Sequence, residues 1–163
     1  MFGPKTPEEI EGALKELTTC ITGRPIIFTN GCFDIFHAGH AQMFEWINWT
    51  YASKNPRIVV AVNSDESIQR LKGPSRPINN LANRMAVLRS ISGVSLVIPF
   101  DEPTPIKLIE RIRPWILLKS ADYHADEIVG GKFVKSYHGS VVTAPYFKGI
   151  STTEIINKCR TLP

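Results

Sequence analysis

Short apolar runs alternate along this chain with longer segments in which apolar residues recur at helical spacing. Five runs have the length and composition of buried strands: residues 26–28, 57–62, 95–98, 115–118 and 140–143. The segments with helical character are residues 6–20, 39–49, 81–90, 105–111 and 151–160. Strands that alternate with helices favour a parallel sheet joined by right-handed crossovers. The pattern predicts an α/β fold with a mainly parallel sheet of about five strands and helices on both faces.

The first helix carries its own start signal. Thr6 is the expected N-cap, Pro7 the first helical residue, and Glu9 the residue that closes a capping box. We expect a single domain over residues 1–163, with this helix at about 6–20 and the core at about 26–160. Residues 70–80 are basic and interrupted by Pro and Gly, which predicts a mobile loop, and residues 126–136 are ambiguous.

Composition narrows the class of protein. The 163 residues are 43% hydrophobic and 21% charged with a net charge of +4, which is typical of a globular domain. A clustered basic stripe, an apolar run of membrane-spanning length and a signal peptide are all absent from the sequence. Cys20, Cys32 and Cys159 are far apart and form no CxxC pair, which favours a reducing compartment. We therefore expect a cytoplasmic protein that binds neither nucleic acid nor membranes.

The most informative stretch follows the first predicted strand. It contains His37-Ala38-Gly39-His40, and a helix is predicted to begin near Gly39. A helix start presents unpaired N–H groups and the positive end of the helix dipole, so it attracts anions. Gly39 has no side chain that would keep a ligand from the backbone. A phosphate chain at this point would meet backbone N–H groups and both imidazoles.

The string from Gly31 to His40 resembles the nucleotidylyltransferase superfamily, and within it the cytidylyltransferase-like family. The match consists of the HxGH motif, His37-Ala38-Gly39-His40, preceded by Gly31-Cys32-Phe33-Asp34 after a strand. The resemblance implies a Rossmann-like fold and transfer of a nucleotidyl group. It extends over about residues 26–158.

A second motif opens the last helix, at Gly149-Ile150-Ser151-Thr152-Thr153. The residues alone are explained by a helix cap, in which Ser151 is the N-cap and Glu154 closes a capping box. The other interpretation is that this helix start binds phosphate through its hydroxyl groups. The family resemblance favours the second interpretation, and both can hold together. The family's cytidylyltransferases typically have an arginine where this chain has Tyr146.

The missing arginine points to one branch of the family, the adenylyltransferases that activate D-glycero-β-D-manno-heptose 1-phosphate. The segments similar to that branch are 61–65, 70–73, 75–79, 84–85, 118–119, 122–123 and 127–128. The exception is Ser120-Ala121, which stands where two glycines are usual. The resemblance implies transfer of AMP from ATP to a sugar 1-phosphate, with release of pyrophosphate and formation of an ADP-sugar. It also implies Mg²⁺ bound with ATP, and a homodimer.

The resemblance assigns roles to individual residues. The predicted catalytic residues are His37, His40 and Lys72. The predicted nucleotide-binding residues are Gly31, Cys32, Phe33, Gly39, Arg84, Lys119, Asp122, Gly149, Ile150, Ser151, Thr152 and Thr153. Asp34 and Arg76 are assigned to the acceptor, and we expect no metal ligands among the side chains.

Several alternatives stay open at this stage. The enzyme alternative is a CTP-dependent cytidylyltransferase for glycerol 3-phosphate or a similar alcohol phosphate, and the second is a non-catalytic nucleotide-binding module. The two histidines are also consistent with packing, or with a zinc site shared with Cys32. Arg84 either anchors phosphate or holds the basic loop, and Asp34 is also suited to bonding nearby backbone N–H groups.

Overall fold

The computed structural model describes residues 6–19, 23–120, 128–145 and 150–162. The described strands are β1 (Ile26–Gly31), β2 (Arg57–Asn63), β3 (Val94–Phe100), β4 (Ile116–Lys119) and β5 (Ser140–Thr143). The described helices are α1 (Pro7–Thr19), α2 (Ala38–Thr50), α3 (Asp65–Lys72), α4 (Leu81–Arg89), α5 (Ile106–Ile112), α6 (Gly131–Ser136) and α7 (Thr152–Arg160). A short 3-10 turn, Ala52–Lys54, lies between α2 and β2.

The five strands form one parallel sheet in the order β3-β2-β1-β4-β5. Thr29 of β1 lies between Val60 of β2 and Leu118 of β4, and all three residues are buried. The chain leaves β1 toward β2 on one side and returns to β4 on the other. This reversal makes the crevice beyond β1 and β4 the place where open α/β sheets bind their ligands.

Helices cover both faces of the sheet. On one face, Asn48 of α2 donates to the carbonyl of Ser92, just beyond α4. On the other, Gly130 at the start of α6 packs against Ile109 of α5. This arrangement follows from right-handed crossovers, because β1-β2-β3 and β4-β5 extend in opposite directions. The predicted fold class is confirmed.

Helix α1 begins as the sequence predicts. Thr6 N donates to the Glu9 carboxylate at 2.9 Å, and Glu9 N donates to Thr6 Oγ1 at 3.2 Å, so the capping box is complete. Ile10, Leu14 and Leu17 are buried on one face of this helix. The end of the predicted helix at residue 20 lies outside the described residues.

The prediction for residues 70–80 is wrong in its first part. Helix α3 runs to Lys72, so Lys72 lies in the last turn of a helix rather than on a loop. This helix is capped by Ser64, whose Oγ accepts from Ser67 N at 2.9 Å. Two of its eight residues, Ile68 and Leu71, are apolar, and they lie three positions apart on one face of the helix. The following segment, 73–80, is held to the core by the hydrogen bonds described below.

In the part of the chain that the structure describes, no helix is long and apolar enough to cross a bilayer. The ambiguous segment contains α6, although residues 126 and 127 lie outside the described ranges.

Candidate active site

The site begins where β1 ends. Gly31 closes the strand, and a Cβ at this position would lie 3.2 Å from the Phe33 ring, so a side chain here would crowd that ring. Phe33 has a φ of 47°, in the left-handed region that side-chain-bearing residues seldom adopt. The turn leads to Asp34, which is buried, and carries the chain into α2.

Helix α2 starts with the two histidines stacked on each other. His37 is the N-cap, and its ring centroid lies 3.7 Å from that of His40. The backbone N–H of His37 donates to Nδ1 of His40 at 3.3 Å. Because Nδ1 is the acceptor, a neutral His40 carries its proton on Nε2, which makes Nε2–H a donor.

Both imidazoles are neutral at pH 7. Burial, together with the neighbouring His37, lowers the pKa of His40 to about 4. Burial also lowers the pKa of His37, against the opposite effect of the Glu154 carboxylate. In this state the pair offers hydrogen-bond donors rather than full positive charges. His40 also contacts the rings of Phe33 and Phe36, so the packing interpretation of this histidine holds alongside its position in a cleft.

The start of α7 lies directly beside the start of α2. Thr152 Oγ1 donates to the carbonyl of Ile35 at 3.3 Å, and a Cβ on Gly39 would lie 3.6 Å from Ile150. Ser151 Oγ accepts from Glu154 N at 3.1 Å, which confirms that Ser151 is the helix cap. Two helix N-termini therefore face the same region, where their dipoles add.

This region is a cleft of about 310 Å³, which we call the histidine cleft. It is lined by Thr29, Asn30, Gly31, Cys32, Phe33, Asp34, His40, Met43, Lys72, Arg76, Ser120, Thr152 and Thr153. A second cleft of about 330 Å³, the strand-end cleft, lies beyond the ends of β1 to β4. It is lined by Asn30, Gly31, Cys32, Asn63, Leu71, Lys72, Phe100, Pro103, Thr104, Pro105, Lys119, Ile128 and Val129. The two clefts share Asn30, Gly31, Cys32 and Lys72, so they are adjoining compartments of one site.

Asp34 is an acceptor for the 73–80 segment. Its buried carboxylate accepts from the backbone N–H of Ile78 and Asn79, both at 2.8 Å, and from Arg76 Nε at 2.6 Å. Burial acts to raise the pKa of Asp34, but these donors outweigh burial and hold the pKa below its ordinary value. The carboxylate therefore bonds backbone N–H groups, but they belong to a segment 44 and 45 positions later and not to its own turn, as the alternative from the sequence expects. Arg76 is paired with the same carboxylate.

Arg84 is buried and joins three separate segments. It donates to the carbonyl of Cys32 at 2.7 Å, to the carbonyl of Asn79 at 3.0 Å and to the Asp65 carboxylate at 2.7 Å. These bonds support the interpretation that Arg84 holds the loop, since its contacts tie residues 73–80 to β1 and α3.

Of the other predicted residues, Lys119 lines the strand-end cleft and Cys32 lines both clefts. Within the described ranges, the predicted residues that line neither cleft are His37, Gly39, Arg84, Ile150 and Ser151. Lys119 is buried in the strand-end cleft, where its Nζ donates to Asn30 Oδ1 at 2.5 Å. Burial raises the pKa of the Cys32 thiol, an effect that the nearby Lys72 opposes, and Sγ contacts Asn63 Oδ1 at 3.9 Å. Asp122 and Gly149, like Tyr146, lie outside the described residues.

The zinc alternative is wrong. Among residues 6–19, 23–120, 128–145 and 150–162, no three His, Cys, Asp or Glu side chains come together as a ligand group. His37 and His40 stack ring to ring, which is incompatible with the divergent ligands of a tetrahedral ion.

Sequence reasoning missed Asn30 and Asn63. Both are polar residues at the last positions of buried strands, Asn30 next to the end of β1 and Asn63 at the end of β2. That position is itself the available signal, because the carboxyl ends of parallel strands meet at one edge.

The chain belongs to the cytidylyltransferase-like family, whose model matches residues 28–158. The predicted membership is confirmed, and the enzyme class that it implies is that of the nucleotidylyltransferases. The matched range contains both helix starts of the histidine cleft.

Two curated relatives are similar to this chain over most of its length. The bifunctional protein HldE of Alcanivorax borkumensis is 50% identical over 138 residues, which are 85% of this chain and 28% of that protein. HldE of Haemophilus influenzae (strain PittEE) is 44% identical over 161 residues, which are 99% of this chain and 33% of that protein. The chain thus spans about a third of the length of these relatives.

Two solved structures share the fold. A lipopolysaccharide core biosynthesis protein from Thermoplasma volcanium has a TM-score of 0.60 at 23% identity, covering 76% of this chain and 98% of its own. A macrolide-efflux protein from Streptococcus pneumoniae has a TM-score of 0.62 at 20% identity, covering 96% of this chain and 56% of its own. At these identities the likeness concerns the fold alone.

Proposed function

We propose that this chain transfers AMP from ATP to a sugar 1-phosphate of the heptose 1-phosphate type, releasing pyrophosphate and forming an ADP-sugar. The observation that carries the proposal is the histidine cleft, where His40 at the start of α2 and Thr152 and Thr153 at the start of α7 face one region. This cleft adjoins a second compartment, and Lys72 lines both. A transferase with two substrates needs two adjoining compartments, and a polyphosphate needs the dipoles and donors of the first.

The proposed reaction needs no covalent intermediate on the protein. An oxygen of the acceptor phosphate attacks the α-phosphorus of ATP, and the bond from that phosphorus to the bridging oxygen breaks. Pyrophosphate leaves with the electron pair of that bond. The obstacle is the charge that builds on the α-phosphoryl oxygens and on the leaving group, which positioned donors stabilise.

Each compartment has its own task in this proposal. The triphosphate lies in the histidine cleft, where Nε2–H of His40 donates to the α-phosphate and the start of α7 meets the outer phosphates. The acceptor lies in the strand-end cleft, next to Lys119, and not beside Asp34 and Arg76 as predicted from the sequence, because those two side chains are paired with each other in the histidine cleft. Lys72 lines both clefts and is exposed, so its ammonium group can reach the phosphates of either substrate.

Mg²⁺ belongs to this proposal as the counter-ion of ATP. The described residues supply no group of three acidic or histidine ligands, and Asp34, the acidic side chain that lines the histidine cleft, is already paired with Arg76. This donor set fits an ion that is held mainly by phosphate oxygens and water. When bound, the ion supplies charge neutralisation on the triphosphate.

We also propose a homodimer in the cytoplasm. Trp49 on α2 is 81% exposed, and an indole is a frequent anchor of interfaces between copies. Cys32 and Cys159 are free thiols, as a reducing compartment keeps them. Light scattering after gel filtration measures the mass of the assembly, and a monomeric mass would contradict the dimer.

The test is pyrophosphate release with Mg²⁺, crossing ATP and CTP with heptose 1-phosphate and glycerol 3-phosphate. We expect release with ATP and the heptose phosphate alone. Release with CTP and glycerol 3-phosphate would replace the proposal with the cytidylyltransferase alternative. Binding of ATP without release in any pairing would support the non-catalytic module.

The variant Lys72→Ala tests the two-compartment arrangement. We expect kcat/KM to fall about tenfold or more for both substrates, because one ammonium group serves both. Its melting temperature should stay at the wild-type value, since Lys72 is exposed. Lys107→Ala, an exposed lysine on α5, is the matched control and should keep wild-type kinetics. A Lys72→Ala variant impaired toward only one substrate would place Lys72 in a single compartment.

A further inference from the structure

A second basic site lies at the opposite edge of the sheet. A cavity of about 500 Å³ opens there among the starts of β1, β2, β4 and β5. Four arginines from three separate segments line it: Arg24, Arg57, and Arg111 with Arg113 at the end of α5. We call it the arginine cavity. Strand β2, which runs from this edge to the strand-end cleft, is seven residues long, so the two sites are roughly 20 Å apart.

Two of these guanidinium groups have no hydrogen-bond partner in the described part of the chain. Arg57 Nε is buried and makes no hydrogen bond to any described residue, although a buried N–H is costly to leave unpaired. Among the same residues, Arg113 makes neither a hydrogen bond nor an ion pair; its guanidinium carbon lies 4.4 Å from the centre of the Tyr137 ring. A ring face orients an arginine without using its N–H donors.

The other two arginines are partly engaged. Arg24 donates to the Asn55–Pro56 turn through Nε and one terminal nitrogen, and Arg111 pairs with Glu11 of α1. No acidic residue appears among the described residues that line the cavity. The described lining therefore offers no carboxylate to compensate the charge of Arg57 and Arg113.

The remaining lining residues suit a small organic molecule rather than the flat surface of a partner. Leu17, Pro25, Ile26, Ile112 and Trp115 supply apolar contacts beside the guanidinium groups. The volume exceeds that needed for a single phosphate group, so a phosphate bearing a compact body fits better than a bare ion. Guanidinium forks match phosphoryl oxygens in geometry and charge.

We propose that the arginine cavity binds a small phosphorylated molecule, through Arg57 and Arg113, at a site separate from the histidine cleft. The observation that carries it is the juxtaposition, within the described residues, of two guanidinium groups without hydrogen-bond partners in one concave, acid-free cavity. This proposal does not rest on the proposed enzymatic function.

Calorimetric titration of the full chain with pyrophosphate tests this site. An excess of α,β-methylene-ATP is present throughout to occupy the histidine cleft. We expect residual binding of pyrophosphate, and the double variant Arg57→Gln/Arg113→Gln should weaken it about tenfold or more. The control Lys158→Gln/Arg160→Gln removes two exposed charges on α7 and should bind as the wild type does.

The outcomes are distinct. The proposal is overturned if no pyrophosphate binds beside the ATP analogue, if the Arg57/Arg113 variant binds normally, or if the control loses as much affinity. Binding of citrate without binding of pyrophosphate would overturn the phosphoryl assignment. If the double variant fails to fold, Arg113→Gln alone, at an exposed position, carries the test. Failure of the proposed enzymatic function would not alter this comparison, because it depends on arginines remote from both clefts.

Discussion

At the scale of single residues, the candidate site depends on which ring nitrogen of His40 carries the proton. The N–H of His37 donates to Nδ1 of His40, so the neutral ring presents Nε2–H. Burial keeps that ring neutral at pH 7, with a pKa of about 4. A neutral donor can strengthen its hydrogen bond as charge develops on a phosphate without first losing hydration as a cation would.

Replacing His40 by Ala should reduce kcat for pyrophosphate release about 10²- to 10³-fold, the effect of removing one positioned donor. His138→Ala is the matched control, because His138 lies at the opposite edge of the sheet and lines neither cleft. The kcat of the control His138→Ala should equal that of the wild type. Equal activity per folded molecule in His40→Ala and wild type would show that His40 serves only packing.

The lowered pKa of His40 also predicts how stability changes with pH. Between about pH 6.5 and about pH 4 the unfolded chain binds a proton that the folded chain does not, so acidification favours unfolding. The stability is fully present above pH 6.5, and roughly 3 kcal/mol of it should be lost by pH 4. His37, whose pKa is also lowered, acts in the same direction. The pKa of Asp34 is lowered from 3.8, so the stability that this carboxylate contributes is lost only below the pH range in which His40 acts.

Urea unfolding at pH 4.5 and pH 7.0 measures this effect. His40→Gln, which does not titrate, should show a smaller difference between the two pH values than the wild type. An unchanged difference would mean that other groups account for the pH dependence.

At the scale of elements, the site depends on two helices that begin side by side. A Cβ on Gly39 would lie 3.2 Å from His37 Nδ1 and 3.6 Å from Ile150, so the absence of a side chain lets α2 meet both the histidine ring and α7. A Cβ on Gly12 in α1, in contrast, would meet no atom of the described residues within 4 Å. The two helical glycines thus have different reasons to be present.

Gly39→Ala should lower kcat by about tenfold, because the added methyl group displaces the His37 ring from the helix start. Gly12→Ala should leave kcat unchanged and raise the free energy of unfolding by about 0.5–1 kcal/mol, since alanine restricts the unfolded chain and favours helix. Steady-state kinetics and urea unfolding of both variants check this. Full activity in Gly39→Ala would show that the close contact has no bearing on the site.

At the scale of the whole molecule, long-range polar contacts attach the 73–80 segment to the sheet. Asp34 is bonded to residues more than 40 positions later, and Arg84 reaches back 52 positions to Cys32. These bonds close the histidine cleft on the side of Arg76. The lining of the cleft therefore depends on a buried network rather than on local loop structure.

Arg84→Met should lower the free energy of unfolding by about 3 kcal/mol, because it leaves buried acceptors without their donor. Arg70→Met removes an arginine from an exposed pair with Asp101 and should cause little change. Urea unfolding of both variants measures the contrast. Equal losses in the two variants would contradict the structural role given to Arg84.

The sequence by itself determined the strands, the parallel α/β class, the N-terminal capping box and both helix starts of the site. These features are local: buried strands, caps and the HxGH stretch are each contained in a few consecutive residues. Helix α3 escaped detection because it is only eight residues long and has two apolar residues, Ile68 and Leu71, so its pattern spans a single turn. Even a correct set of elements did not identify Asn30 and Asn63 as cleft residues.

Only the tertiary structure decided how the local features combine. It joined Asp34 and Arg84 to the 73–80 segment, divided the site into two clefts that meet at Lys72, and gathered Arg57 and Arg113 at the far edge. The physical reason is that such contacts link residues tens of positions apart. Their partners follow from strand order and crossover direction, which local periodicity does not encode.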